Sequence, residues 1–132
     1  EDQGLAYSVG SSYSSKLDKG HFVLYIGTEP KNIELVKGKF VEEIEKLKTK
    51  PISKQELKEN KSKFIGSYAL GQETNRSKAH LLGAFEVVDK EIGFNYDFPD
   101  LINQVTSEDI IRTANKYLNY PYDLAQVRYA GI

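Results

Sequence analysis

The two histidines of this chain, His21 and His80, are its only imidazoles, and it has no cysteine. Catalytic zinc takes three protein ligands and a water. The helical motifs that supply two of them, H-x-x-E-H and H-E-x-x-H, set the histidines four residues apart. Neither His21 nor His80 has such a neighbour. His21 opens a strand-like run and His80 falls in a helical one, so both read as packing or surface residues. No metal site formed by this chain alone is expected. The absence of Cys excludes disulfides, thiolate nucleophiles and Cys-ligated zinc. It leaves cytoplasm and periplasm equally open.

The acidic pairs Asp97/Asp100 and Glu108/Asp109 have the residue types of general acid–base chemistry. Their positions point instead to helix starts, where carboxylates meet free N–H groups and the positive end of the dipole. The lysines between Lys46 and Lys63 are interleaved with Glu42, Glu43, Glu45, Glu56 and Glu59. Glu42/Lys46 and Glu59/Lys63 have i,i+4 spacing, the pattern of a solvated helix face. No phosphate-binding glycine motif occurs. The triplets Asn60-Lys61-Ser62 and Asn75-Arg76-Ser77 match a glycosylation acceptor and are assigned no role.

Tyr7 is the remaining candidate. In Gly4-Leu5-Ala6-Tyr7-Ser8-Val9 a phenol stands on a strand just after a glycine. Alternation places Leu5, Tyr7 and Val9 on one face. On one reading the ring packs into the core with them, which periodicity favours. On the other, its hydroxyl serves a partner outside the domain.

The elements that must hold these residues follow from pattern. Leu5–Tyr13 reads as a strand, and Asp18-Lys19-Gly20 as a turn. His21–Gly27, rich in aromatic and β-branched residues, is a second strand and makes a hairpin with the first. A helix opens at Thr28-Glu29-Pro30, carries Ile33, Val36, Phe40, Ile44 and Leu47 as its apolar stripe, and stops at Pro51. Ser53-Lys54-Gln55-Glu56 has capping-box form, and Leu57, Phe64, Ile65 and Tyr68 mark the inner face of the helix that follows. Ser77–Ile92 is a further helix, with Gly93 placed to end it. Phe98-Pro99-Asp100 starts a short one. Thr106-Ser107-Glu108-Asp109 starts another, with Ile110, Ile111, Ala114 and Tyr117 inward. Asp123–Ala130 reads as a closing strand in the hairpin's sheet. The order is α+β: an antiparallel sheet with helices packed on one face.

Composition bounds the function. The 132 residues suit one domain, with 39% hydrophobic and 28% charged side chains. The net charge of −1 disfavours nucleic-acid binding, which calls for a basic excess. No apolar run approaches the roughly 18 residues of a membrane span. No signal-peptide pattern opens the chain. The chain starts Glu1-Asp2-Gln3 and contains no Met, so it is read as a piece of something longer.

Four segments resemble, in order, the C-terminal domain of the pitrilysin, insulinase and mitochondrial-processing-peptidase family of zinc metallopeptidases. Glu1–Val9 is similar to the signature R-E-x-x-G-L-A-Y-x-V. His21-Phe22-Val23-Leu24-Tyr25-Ile26-Gly27-Thr28 is similar to the family's second strand. Pro51-Ile52-Ser53, Glu56-Leu57 and Lys61 resemble P-I-S-x-x-E-L-x-x-x-K. Val105-Thr106-Ser107-Glu108-Asp109-Ile110 resembles V-T-x-E-D-I. The resemblance implies two homologous α+β domains around an enclosed chamber. Zinc would be bound by H-x-x-E-H and a distant Glu of an N-terminal domain absent from this chain. Residues 1–132 would then be part of one C-terminal, non-zinc-binding peptidase-like domain. That domain contributes an Arg and a Tyr to hold the peptide substrate. Tyr7 matches the Tyr, and the Arg would fall just before Glu1.

The resemblance thus implies a non-catalytic domain that closes the chamber and positions peptide substrate. Its partner would be the catalytic zinc-binding domain of the same chain or of a companion subunit. One rival is an inactive structural or partner subunit of a processing-peptidase-like complex. Another is a small binding module that stacks bases on Tyr13, Phe22 and Tyr25, against which the acidic pI of about 6.2 argues. A strand edge left uncovered would tend to recruit another chain, so homo-oligomerisation is also expected.

Overall fold

A computed structural model describes residues 5–15, 19–88 and 93–127. The chain divides into two compact units, Glu1–Thr49 with Arg112–Ile132, and Lys50–Ile111.

In the first unit β1 (Ser8–Ser15) and β2 (Gly20–Gly27) form an antiparallel hairpin, with Val9 opposite Ile26 and Tyr13 opposite Phe22. Because side chains alternate between faces, Val9, Ser11 and Tyr13 share a face with Phe22, Leu24 and Ile26. Gly10 and Ser12 lie on the other with Val23 and Tyr25. The Tyr25 phenol lies directly over Gly10, in space that a Cβ would occupy. Val9, Tyr13 and Phe22 on one face, and Val23 and Tyr25 on the other, are exposed. The strand starts three residues later than its alternation indicates. One rung continues beyond it, from the Tyr7 N–H to the Gly27 carbonyl at 2.7 Å. The Thr28 hydroxyl also donates to the Leu5 carbonyl at 2.5 Å.

Pro30–Asn32 makes a 3-10 turn that leads into α1 (Ile33–Thr49), its proline fixing φ where no N–H is needed. Val36, only 4% exposed, anchors the expected stripe. The outer face carries ion pairs one residue closer than the expected i,i+4 set. Lys37 pairs with Glu34, Lys46 with Glu43 and Lys48 with Glu45. Glu59, expected opposite Lys63, instead accepts from Gln55 at 2.6 Å. The solvated-face reading stands with different pairings. Asn115, on α5 (Ser107–Tyr117), donates to the Lys48 carbonyl at 2.9 Å and satisfies an end-of-helix acceptor of α1. Ala114 of the same helix is buried. Tyr117, expected inward, is 67% exposed, with the Lys116 ammonium 4.9 Å from its ring centre.

The expected closing strand does not form where it is described. Asp123–Val127 is in no strand, and residues 128–130 lie outside the described residues. A strand needs a neighbouring ladder for its N–H and C=O groups, and β1 and β2 pair only with each other in the sheet. Pro121 has no N–H to give, and the flanking Tyr120 and Tyr122 rings pack edge-on at 5.5 Å. The class is still α+β with an antiparallel sheet, of two strands among the described residues.

The second unit holds α2 (Lys54–Leu70), α3 (Asn75–Val87), α4 (Gly93–Gln104) and the start of α5. Ser53 caps α2 by accepting the Glu56 N–H at 3.2 Å, and Thr74 caps α3 by accepting the Ser77 N–H at 3.0 Å. At α5 the Thr106 hydroxyl accepts the Asp109 N–H at 3.1 Å. The Asp109 carboxylate accepts the Thr106 N–H at 3.0 Å. This reciprocal box explains the pair Glu108/Asp109 as a helix start.

Gly93 does not end a helix. It opens α4, while α3 stops at Val87 and residues 89–92 lie outside the described residues. Nor does Phe98-Pro99-Asp100 start one: Pro99 is inside α4, and Asp97 and Asp100 are exposed mid-helix residues rather than caps. Aromatic packing overrides the proline signal. Phe94 and Phe98, four residues apart, share a face only if the helix already runs through Phe94. Phe98 stacks on Tyr68 at 3.8 Å and meets Phe64 at 5.8 Å, while Phe94 meets Phe85 edge-on at 5.4 Å. The Tyr68 hydroxyl donates to the Asn95 side-chain oxygen at 2.7 Å.

Candidate functional site

The hairpin register brings the start of β1 beside the exit from β2. With Ser8 opposite Gly27, Tyr7 stands next to Thr28-Glu29. Pro30 then turns the chain, so Glu29 and Lys31 flank a fixed bend. The Tyr7 hydroxyl donates to Glu29 Oε1 at 3.2 Å. Lys31 Nζ pairs with Glu29 Oε2 at 2.5 Å. One carboxylate thus joins a phenol and an ammonium, one on each oxygen. The Tyr7 residue is 77% exposed. Its ring is therefore not a core residue, contrary to what alternation alone favours.

The charges of the three groups hold each other. The hydrogen bond to Glu29 raises the Tyr7 phenol above its ordinary pKa, and the negative charge adds to the effect. Lys31, then Tyr7, lower the Glu29 carboxyl. Glu29 in turn raises the Lys31 ammonium. At neutral pH the cluster is a protonated phenol, a carboxylate and an ammonium, open to water. It can offer a neutral O–H donor and a cation to a polar chain passing over the hairpin's end.

The sequence singles out Tyr7 but not Glu29 and Lys31, which join it here. The signal was present in the hairpin. If Ser8 pairs with Gly27, the residues just after β2 must meet the residue just before β1.

The other candidates separate. His21 is on β2 in one unit and His80 on α3 in the other; both are exposed. Among the described residues no three His, Cys, Asp or Glu side chains come together. Catalytic zinc needs such a convergence. In the second unit an open groove of about 790 Å³ runs between α2 and α3, with Tyr68, Gln72, Arg76, Ser77 and His80 in its walls and no carboxylate among them. The segments Pro51-Ile52-Ser53 and Thr106–Asp109 do structural service there. Besides their caps, the Ile52 N–H donates to the Ser107 hydroxyl at 2.8 Å. Lys61 donates to the Asn103 carbonyl at 2.7 Å, at the end of α4. Among the described residues no helix is long and apolar enough to cross a membrane.

The α+β arrangement of hairpin and helices is that of a solved structure. The chain superposes on a protease from Helicobacter pylori with a TM-score of 0.76, at 23% identity, over 87% of this chain and 28% of that one. The family described as "Peptidase M16 inactive domain" matches residues 1–64. The uncharacterized zinc protease YmxG of Bacillus subtilis is 30% identical over 99% of this chain and 32% of its own length. An uncharacterized zinc protease of Rickettsia felis is 30% identical over 88% of this chain and 28% of its own. Residues 1–64 thus match the inactive-domain type of the M16 peptidase family, and nearly the whole chain is similar to zinc proteases. It spans about a third of the length of the curated relatives it matches.

Proposed function

We propose that this segment is the non-catalytic part of a zinc metalloendopeptidase, closing a chamber and positioning peptide substrate through Tyr7. The observation that carries the reading is the exposed Tyr7 phenol at the hairpin's end, on the residue that matches the family's substrate-binding tyrosine. A hydroxyl there can donate to a peptide carbonyl, or to the oxyanion that forms when water adds to it. Zinc would be held by a catalytic domain outside this chain, as the family resemblance implies. The relatives named as zinc proteases support zinc in the longer protein.

A second reading, supported by the inactive-domain description of the matching family, is a structural or partner subunit whose companion chain carries the metal. Peptide hydrolysis by the intact purified protein separates the two. The first reading expects hydrolysis that a chelator abolishes and zinc restores. Hydrolysis that requires addition of a second subunit establishes the partner reading instead.

A further inference from the structure

Tyr7 does not stand alone at the hairpin's end, and its neighbours have no role in the reading so far. A phenol carries a single proton, and here that proton is committed to Glu29 Oε1 at 3.2 Å. The second oxygen of the same carboxylate is committed to Lys31 at 2.5 Å. Pro30, between the two charged residues, fixes φ, so both partners leave one stiff turn. Tyr7 is itself tied to that turn through the rung from its N–H to the Gly27 carbonyl. An exposed phenol attached at both its backbone and its hydroxyl has one favoured orientation instead of several.

We infer that Glu29 is a positioning residue for Tyr7, clamping the phenol as an oriented, protonated donor until a peptide carbonyl takes over the O–H, while Lys31 holds the Glu29 carboxylate in place. This rests on reading Tyr7 as the substrate-facing phenol. The exchange is balanced. The Tyr7 proton turns from the Glu29 oxygen to the substrate oxygen, no covalent bond breaks, and the freed carboxylate oxygen is left to Lys31 and water. Two opposed influences on the phenol follow. The carboxylate disfavours its ionisation and the lysine favours it. Glu29 and Lys31 are the charged groups that act on Tyr7 among the described residues.

The test uses the intact protein with 13C-labelled tyrosine, the Tyr7 resonance being assigned by its loss in Tyr7→Phe. Glu29→Gln is expected to lower the pH at which Tyr7 ionises, Lys31→Ala to raise it, and Glu29→Asp to keep most of the wild-type value. The alkaline limb of the kcat/KM profile should move to lower pH in Glu29→Gln with the melting temperature unchanged. Identical Tyr7 titration in wild type and Glu29→Gln overturns the clamp. So does a shifted titration with an unmoved alkaline limb in an enzyme that Tyr7→Phe cripples. If Tyr7→Phe leaves hydrolysis intact, the substrate-facing reading fails instead, whatever the titration shows. The titration needs no activity, so it decides the contact even for an inactive partner subunit.

Discussion

The phenol, carboxylate and ammonium at the hairpin's end have opposite responses to acid and base, and their signs define a pH window. Glu29 has a folded pKa below its unfolded value, so its contribution is present above the unfolded value and is lost as pH falls through the lowered one. Tyr7 and Lys31 have folded values above their unfolded ones. Their contribution is full below the unfolded values and is lost as pH rises through the raised ones. The cluster should therefore be intact across the neutral range and open at both extremes. A pH series of Tyr7 side-chain chemical shifts should show two separate transitions, one acidic and one alkaline. A Tyr7 signal indifferent to acid would mean that the Glu29 contact does not form. For Tyr7 the neighbouring hairpin was legible from sequence, although the strand begins only at Ser8, and its proposed role came from resemblance. Its exposure was not legible, because alternation reports which side a residue is on and not whether anything covers that side. Glu29 and Lys31 were hidden because their contact spans 22 positions and exists only once the register is set.

At the scale of elements, what was legible depended on whether a local signal or a tertiary one decided. Ser53 and Thr106 cap their helices as their sequences indicate, since a cap needs only its own first turn. Thr106→Ala removes the hydroxyl that the Asp109 N–H uses and should cost about 1 kcal/mol, readable as a lower urea midpoint at unchanged slope. Gly93 and Pro99 misled because these local stop signals open and interrupt a helix that aromatic packing holds. If that packing is what overrides them, Phe98→Ala should destabilise the protein by about 2 kcal/mol, less than a fully buried Phe. It should also reduce amide protection in α4 more than in α1. Equal loss in both helices would leave the α4 boundaries without their explanation. The missing closing strand has the same cause in reverse. Asp123–Ala130 reads as a strand, but no ladder receives it in the described residues.

At the scale of the whole molecule, the hairpin leaves Val9, Tyr13, Phe22, Val23 and Tyr25 in water, spread over both faces. Apolar surface of that kind recruits a cover, and so do unpaired strand edges. The isolated 132-residue chain should therefore self-associate, with a sedimentation coefficient that rises with concentration; a concentration-independent monomer would contradict this. The relatives are about three times as long as this chain, and the role proposed for it is the positioning half of a peptidase's work. The most direct test compares Tyr7→Phe with the wild type in the intact protein. Losing a donor aimed at a developing oxyanion costs about a hundred- to a thousand-fold in rate. A fall of that order in kcat is expected, with unchanged zinc content and an unchanged melting temperature, since an exposed hydroxyl contributes little to the fold. Wild-type turnover, or a large loss of thermal stability in place of lost turnover, would contradict it.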